Sequence, residues 1–523
     1  MVNTAFLIFI VVVYLLVTGY LGYYGFRTTK SSEDYLVAGR KIHPAVMALS
    51  YGAAFISTSA IVGFGGIASI FGFPLLWLTF MNIFVGIVIA YAVIGKRVRR
   101  KGLELNALTF PELLGRMYGS RFIQVFAGIV VFLFMPLYAG VVLIGAARFI
   151  EVSLNVDYNV ALLIMSLVIA VYVVYGGIIA VLYTDAFQGL IMLASMILLL
   201  VSAYAWFGGV VPAHETLTGL NDIAIKTFAG KIDGYVGWTV FPKFGSEAWI
   251  TLVTSLILAV GIGVLAQPQL AVRFMTVASD RDLDRAVPVG SIFIFFTVGT
   301  AFIVGALSNA YFIETAGMPS IAVAGGNVDK VIPAFINAFM PDWFVAVFLV
   351  TLLAAAMSTL SSQFHTIGSA LGRDVFQAGF LGGRHAERTV FITRFAIAAG
   401  ILFSIFLAYV LPPGVIARGT AMFFALCASS FMPAYIGGLY WNRATKTGAE
   451  ASIISGFVVS MIYIAFFHIK ESSALGIAKM LFGREALAGF PWTVLDPMVI
   501  ALPLSALIFV VVSFLTGADR GGS

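Results

Sequence analysis

The fold class this sequence predicts is an all-α, polytopic membrane protein of about thirteen transmembrane helices. Three observations predict it. Hydrophobic residues make up 61% of the 523-residue chain and charged residues only 10%, with a mean hydropathy of +1.03, far too apolar for a soluble chain of this size. Apolar runs of the roughly 20 residues that cross a hydrocarbon core recur along its whole length. Two of those runs are interrupted at matching places by breakers and polar side chains.

The first run, Thr4 to Phe26, has no basic residue before it and no small-residue cleavage site after it, and so reads as a retained span rather than a signal peptide. Further spans are expected to begin near residues 44, 74, 122, 158, 184, 249, 288, 343, 392, 417, 450 and 496. The odd total puts the termini on opposite sides. Arg27, Lys30, Arg40, Lys41 and the cluster Lys96, Arg97, Arg99, Arg100 and Lys101 share one side with Arg281, Arg285, Arg373, Arg384, Arg388, Arg443 and Lys446. The other side keeps few, among them Lys226, Lys231, Lys243, Lys330, Lys470 and Arg484. This positive-inside bias predicts a multi-pass plasma (inner) membrane protein with its N-terminus outside and its C-terminus in the cytoplasm. The net charge of +6 follows from the same bias and calls for no nucleic acid.

Between the spans, Leu103 to Gly119 is partly amphipathic with Pro111 at a helix start, and reads as an interfacial cytoplasmic helix. Val211 to Glu247 and Gly317 to Pro341 are the longest outside connections. The single cysteine, Cys427, excludes a disulfide framework and a Cys-based metal site.

The second span reads SYGAAFISTSAIVGFGG, with Gly52 and the run Ser57, Thr58, Ser59 at mid-membrane depth. The seventh reads AVGIGVLAQPQLAVRF, where Gly261, Gly263, Gln267 and Pro268 rule out one undisturbed helix. Each break opens a block of five spans. Paired broken helices point to inverted repeats around a midplane site. The chain accordingly divides into a first span and loop (1–42), a first repeat (43–210), an outside loop (211–248), a second repeat (249–449) and two further spans with a tail (450–523).

The stretch Thr351 to Gly372, TLLAAAMSTLSSQFHTIGSALG, supplies a partner for the first break. Ala354, Ala355 and Ala356 admit a close neighbour, while Ser358, Thr359, Ser361 and Ser362 either turn toward an ion or bond back to their own carbonyls. Asp185, at the start of the sixth span, is either functional or an acid favoured by the helix dipole. His365 falls two turns from Ser358 on the same face, where it packs, accepts a proton or lines an exit path. His43, His214, His385 and His468 fall at interfaces or in loops. No phosphate loop or His pair at zinc spacing appears, so no enzymatic activity is expected.

Taken together, DYLVAGRKI with Arg40, the broken SYGAAFISTSAIVGFGG, YGGIIAVLYTDAFQG with Gly176, Gly177 and Asp185, AQPQLAVRFM with Arg273, and LLAAAMSTLSSQ resemble the sodium/solute symporter family, whose members share a LeuT-type core of two inverted five-helix repeats. The resemblance implies a Na+ site made by the backbone carbonyls of Ala53, Ile56 and Ala355 and the hydroxyls of Ser358 and Thr359. It assigns Asp185 to the second shell of that site or to a second Na+ site; a serine tends to stand at the position of Ala355 where the family builds a second one, which favours a single ion.

For the solute, Phe55 stands where the proline-carrying branch has an aspartate, and Gly263 where sugar carriers place an aromatic gate. The span from Leu113 to Gly209 is more similar to members that carry pantothenate or short monocarboxylates. The expected cargo is a small monocarboxylate, a pantothenate-like anion or an amino acid such as proline, contacted near Phe55, Thr58, Ser59, Tyr138, Gly261, Gly263 and Gln267. Expected partners are this small-molecule solute and the lipid bilayer, with no nucleic acid and no obligatory protein partner. Two alternatives stay open: proton coupling through Asp185 and His365, and a membrane-embedded sensor or channel.

Overall fold

A computed structural model describes residues 4–173, 178–228, 230–380 and 386–517. Gly176, Gly177, Arg384 and His385, singled out above, lie outside the described residues. Among the described residues there are helices and turns and no strand. Eleven helices among these residues are long and apolar enough to cross a membrane, and Pro44–Phe55 with Ser59–Phe71 forms a further pair bent by 56°. With the shorter apolar helix Tyr158–Val173, they fall where the sequence placed its thirteen spans.

In order, the spans are Thr4–Thr28, the bent pair, Phe73–Glu104, Arg121–Leu154, Tyr158–Val173, Ile178–Trp206, Glu247–Ala266 with its continuation to Met275, Asp280–Ala316, Asp342–Phe380, Ala386–Val410, Ile416–Tyr440, Lys446–Phe466 and Met498–Gly517. The ninth is the axis of the molecule. Every residue from Phe344 to Ser369 except Val347 is buried, because the stretch is apolar all round and its small and hydroxylated residues admit neighbours on every side. The second, fourth, sixth and tenth spans pack around it, the twelfth and thirteenth pack on each other and on the eleventh, and the first leans on the sixth and ninth.

Two connections depart from or extend the sequence reading. The helix Phe110–Met117 is drawn into the protein, with Phe110 to Gly115 buried, rather than lying at a membrane interface. Glu112 explains the difference: it takes a two-pronged contact from Arg373 at 2.8 and 2.9 Å and pairs with Arg116 at 2.6 Å, while Thr109 donates to Asp374 at 2.7 Å. Charge at the end of the ninth span thus captures the segment. On the opposite face, Val210–Gly219 and Asn221–Phe228 form a small apolar cluster with Trp238 and the eighth span. Trp238 donates from Nε1 to the Ser69 carbonyl at 2.8 Å and accepts the Phe73 amide at 2.8 Å. Gly72 between them has φ +66°, and a Cβ there would lie 1.8 Å from the Trp238 carbonyl oxygen, so only glycine fits.

Candidate functional site

The site begins where the second span fails to stay helical. Its first half starts at Pro44, with the His43 side chain accepting the Ala45 amide, and ends at Ile56 (φ −94°, ψ 99°). Ser57 then starts the second half: its carbonyl takes the Ala60 and Ile61 amides at 3.0 and 3.2 Å, and its hydroxyl the Ser59 amide at 3.1 Å. Hydroxylated side chains that compete for nearby backbone groups make this a natural break. Carbonyls in the last turn are consequently left without helical amides.

One of them, Ala53, points at the ninth span. Ser358 Oγ donates to it at 2.9 Å and Thr359 Oγ1 at 3.3 Å, and Ser358 Oγ also lies 3.3 Å from the Ala355 carbonyl. All four residues are 0% exposed. Ile56, whose carbonyl completes the expected set, is the residue at which the backbone turns away. Neutral oxygens, two with lone pairs to spare and none with a cationic neighbour in this group of contacts, suit a hard monovalent cation.

One turn further along the ninth span lies a second polar cluster of different character. Asp185 is interior to its helix and 0% exposed. Its Oδ2 receives Arg273 Nη2 at 2.8 Å, Ser50 at 3.1 Å and Ser362 at 3.2 Å, and its Oδ1 receives Ser361 at 3.3 Å. Arg273 also donates to the Gln269 carbonyl and to Ser362, both at 2.5 Å. A first-turn dipole role for Asp185 therefore gives way to a buried ion pair whose remaining valences are filled by hydroxyls, the condition under which such a pair is tolerated. Each of the Ser361 and Ser362 hydroxyls shares its single proton between Asp185 and the Ser358 carbonyl, which lies 3.1 and 2.9 Å away, and this ties the two clusters together.

The seventh span breaks as its sequence requires. Gln267 is extended (φ −75°, ψ 117°) because Pro268 disfavours a helical residue before it. Between the two breaks sits a cavity to which Phe55, Ser57, Asn82, Tyr138, Thr420 and Phe424 contribute. Phe55 stacks on Phe424 at 6.2 Å and Tyr138 meets Phe424 edge-on at 5.4 Å. Asn82 is 3% exposed and its Oδ1 has no hydrogen-bond partner.

Of the solute candidates, Phe55 and Tyr138 line this cavity, and Thr58, Ser59, Gly261, Gly263 and Gln267 are not among its lining residues. Thr58 donates to the Val142 carbonyl at 2.6 Å, and Ser59 is buried with its hydroxyl unpartnered. A Cβ on Gly261 would meet Met81 at 2.6 Å and one on Gly263 the Phe424 carbonyl at 2.7 Å, so both serve close packing. Gln267 donates to the Gly263 carbonyl at 3.2 Å and accepts from Gln269 at 3.4 Å. Asn82 and Thr420 were not anticipated; Asn82 was visible as a polar residue in the apolar run of the third span. His365 is 7% exposed, lies against Tyr35 at 5.2 Å, keeps Nδ1 unpartnered and lines a second cavity with Gln269, Arg273, Ser362 and Thr366.

Comparison with known proteins follows the same lines. Residues 35–456 match the family model described as the sodium:solute symporter family. The high-affinity proline transporter PutP of Bacillus subtilis (strain 168) is 28% identical over 85% of this chain and 89% of its own. A sodium/proline symporter of Staphylococcus aureus (strain JH9) is 26% identical over 88% and 87%. Among solved structures, a Na+-coupled sialic acid symporter in a substrate-bound outward-open state superposes with a TM-score of 0.74 over 99% of this chain and 97% of its own, at 17% identity, a likeness of fold.

Proposed function

Because this chain belongs to the sodium:solute symporter family, and is a sodium-coupled membrane carrier of a small organic solute, we propose a division of labour among the residues described above. Na+ binds at the Ala53, Ile56 and Ala355 carbonyls and the Ser358 and Thr359 hydroxyls. The observation that carries this assignment is the approach of both hydroxyls to the Ala53 carbonyl, 2.9 and 3.3 Å across the break of the second span. Asp185, held by Arg273, acts on that ion at second remove through Ser361 and Ser362, so the transport cycle uses one Na+ at this locus.

The solute occupies the neighbouring cavity. Its carboxylate faces the amides at the start of the second half-helix, where the dipole is positive, and its ammonium, where it has one, faces the aromatic rings of Phe55, Tyr138 and Phe424 and the free oxygen of Asn82. This makes an amino acid such as proline, which the names of the relatives state for those proteins, the first solute to test, with short monocarboxylates and pantothenate next. Phe55 supplies an apolar wall and no charge, so an ammonium would be held without a carboxylate at that position.

The repeats 43–210 and 249–449 move about this pair of sites in alternating access, between the first span and loop (1–42), the connection 211–248 and the closing segment 450–523. The N-terminus is outside, and the potential drives Na+ inward with roughly 2.3 kcal/mol per charge per 100 mV. Na+ stabilises the solute-competent geometry, and by reciprocity solute raises Na+ affinity by the same factor. The chain itself carries out no covalent chemistry.

Uptake into proteoliposomes tests the proposal. L-proline, lactate and pantothenate are offered with an inward Na+ gradient, with K+ replacing Na+, and with a pH gradient alone. Accumulation that needs Na+ and is lost in Ser358→Ala/Thr359→Ala supports the site. Accumulation driven by pH without Na+ and indifferent to those substitutions overturns it in favour of proton coupling through Asp185 and His365.

A further inference from the structure

The polar groups invoked so far surround the second, sixth, seventh and ninth spans. Another set stands apart from them, where the 467–497 connection covers the ends of the seventh, eleventh, twelfth and thirteenth spans. A cavity there has an apolar wall of Leu256, Met422, Ile464 and Val494 and a charged rim of Glu247, Arg418, His468, Lys470, Glu471 and Asp496. Glu471 is compensated within the protein: Arg418 Nη1 lies 3.3 Å from one oxygen and His468 Nδ1 closes on the other.

The rest of the rim is compensated at longer range, His468 acting on Asp496, and Glu471 with Glu247 acting on Lys470. Asp496 is 3% exposed, and its Oδ1 accepts the Met498 amide at 2.9 Å. Among the described residues, Asp496, Glu247 and Lys470 have no ion-pair partner within 4.0 Å. Burial pushes the Asp496 carboxyl up to about 7. A buried carboxylate without a cation in direct contact is costly unless something brings one. Here both signs of charge stand ready around one greasy surface.

We propose that this cavity is a second ligand site, which takes a small zwitterion with a primary ammonium, an acidic group and an apolar body. The ammonium is received by Asp496 and Glu247, the acid by Arg418 and Lys470, and the body by Leu256, Met422, Ile464 and Val494. The site is positioned to modulate transport. Arg418 is two residues from Thr420, and Leu256 is one turn from Val260, and both Thr420 and Val260 line the central cavity. An occupant braces the two spans that shape that cavity. A free aliphatic amino acid and the headgroup of phosphatidylethanolamine both carry this chemistry.

The test uses the purified full chain in nanodiscs of phosphatidylcholine, which lacks a primary ammonium, in Na+-free buffer. L-leucine is titrated while the apparent Tm is followed, since a ligand that binds only the folded protein raises it. A saturable rise is expected, with half-saturation about tenfold weaker in Asp496→Asn, and weaker in the wild type as the pH falls below about 7 and Asp496 loses its charge. Because Asp496 also caps a helix, Lys470→Gln at an exposed position serves as the second variant, with the same direction of effect. Isoamylamine and isovalerate, each bearing half of the zwitterion, should bind more weakly than leucine. A rise produced by phosphatidylethanolamine and not by leucine assigns the site to the lipid headgroup. No rise with either, or a rise indifferent to both substitutions, overturns the proposal.

Discussion

Two polar clusters lie one helical turn apart on the ninth span, and they handle burial in opposite ways. Around Ala53, the oxygens of Ser358 and Thr359 converge on a carbonyl that is itself an acceptor. Around Asp185, an arginine and three serines fill the carboxylate's valences. The first arrangement is electrostatically open and the second closed. A bare cation gains most where lone pairs are gathered without a resident positive charge, which is why we propose the neutral cluster, and not Asp185, as the place for the coupling ion.

Removing the open cluster should have the largest effect. Ser358→Ala with Thr359→Ala deletes two charge-assisted contacts and should weaken half-saturation by Na+ about a hundredfold, read from uptake against Na+ concentration. Unchanged Na+ dependence would break the distinction between the clusters. Next comes the closed cluster. Arg273→Met leaves Asp185 buried and alone, at a cost of about 3–5 kcal/mol, seen as a large drop in apparent Tm. Adding Asp185→Asn should restore most of it. If the single and double variants melt alike, the ion pair contributes little and the comparison must be redrawn.

A smaller effect belongs to the solute cavity. Asn82→Leu should raise the half-saturating solute concentration about tenfold by removing an unpaired amide oxygen from the cavity wall, while Na+ binding measured without solute stays as it was. The smallest belongs to His365, which touches neither the Ala53 cluster nor the solute cavity: His365→Phe should leave Na+-driven uptake intact, and a collapse would revive proton coupling.

What the sequence disclosed follows from how each feature is encoded. Span positions, the break after Phe55 and the one at Gln267 are local, set by hydropathy, Ser57 to Ser59 and Pro268, and each is found where expected. The meeting of Ser358 with Ala53 joins residues 305 positions apart and was reached by resemblance. Rotations of helices that are apolar all round leave no periodic signal, so Asn82, Thr420 and Phe424 were missed as cavity residues and Thr58 was aimed at solute when it faces Val142. The pairing of Arg273 with Asp185 joins two motifs that were each visible alone. The burial of Phe110–Met117 was hidden because its amphipathic pattern suits a charged protein neighbour, Arg373, as well as a lipid headgroup layer.

Trp238 gives the molecule a native optical reporter. Its ring is wholly buried and its indole nitrogen is fastened to Ser69 on the second half of the bent span, so any swing of that half-helix that loosens the clasp must wet the indole. A red shift of its emission and greater quenching by iodide would follow, resolvable in a variant keeping this one of the seven tryptophans. Gating can thus be timed without a label.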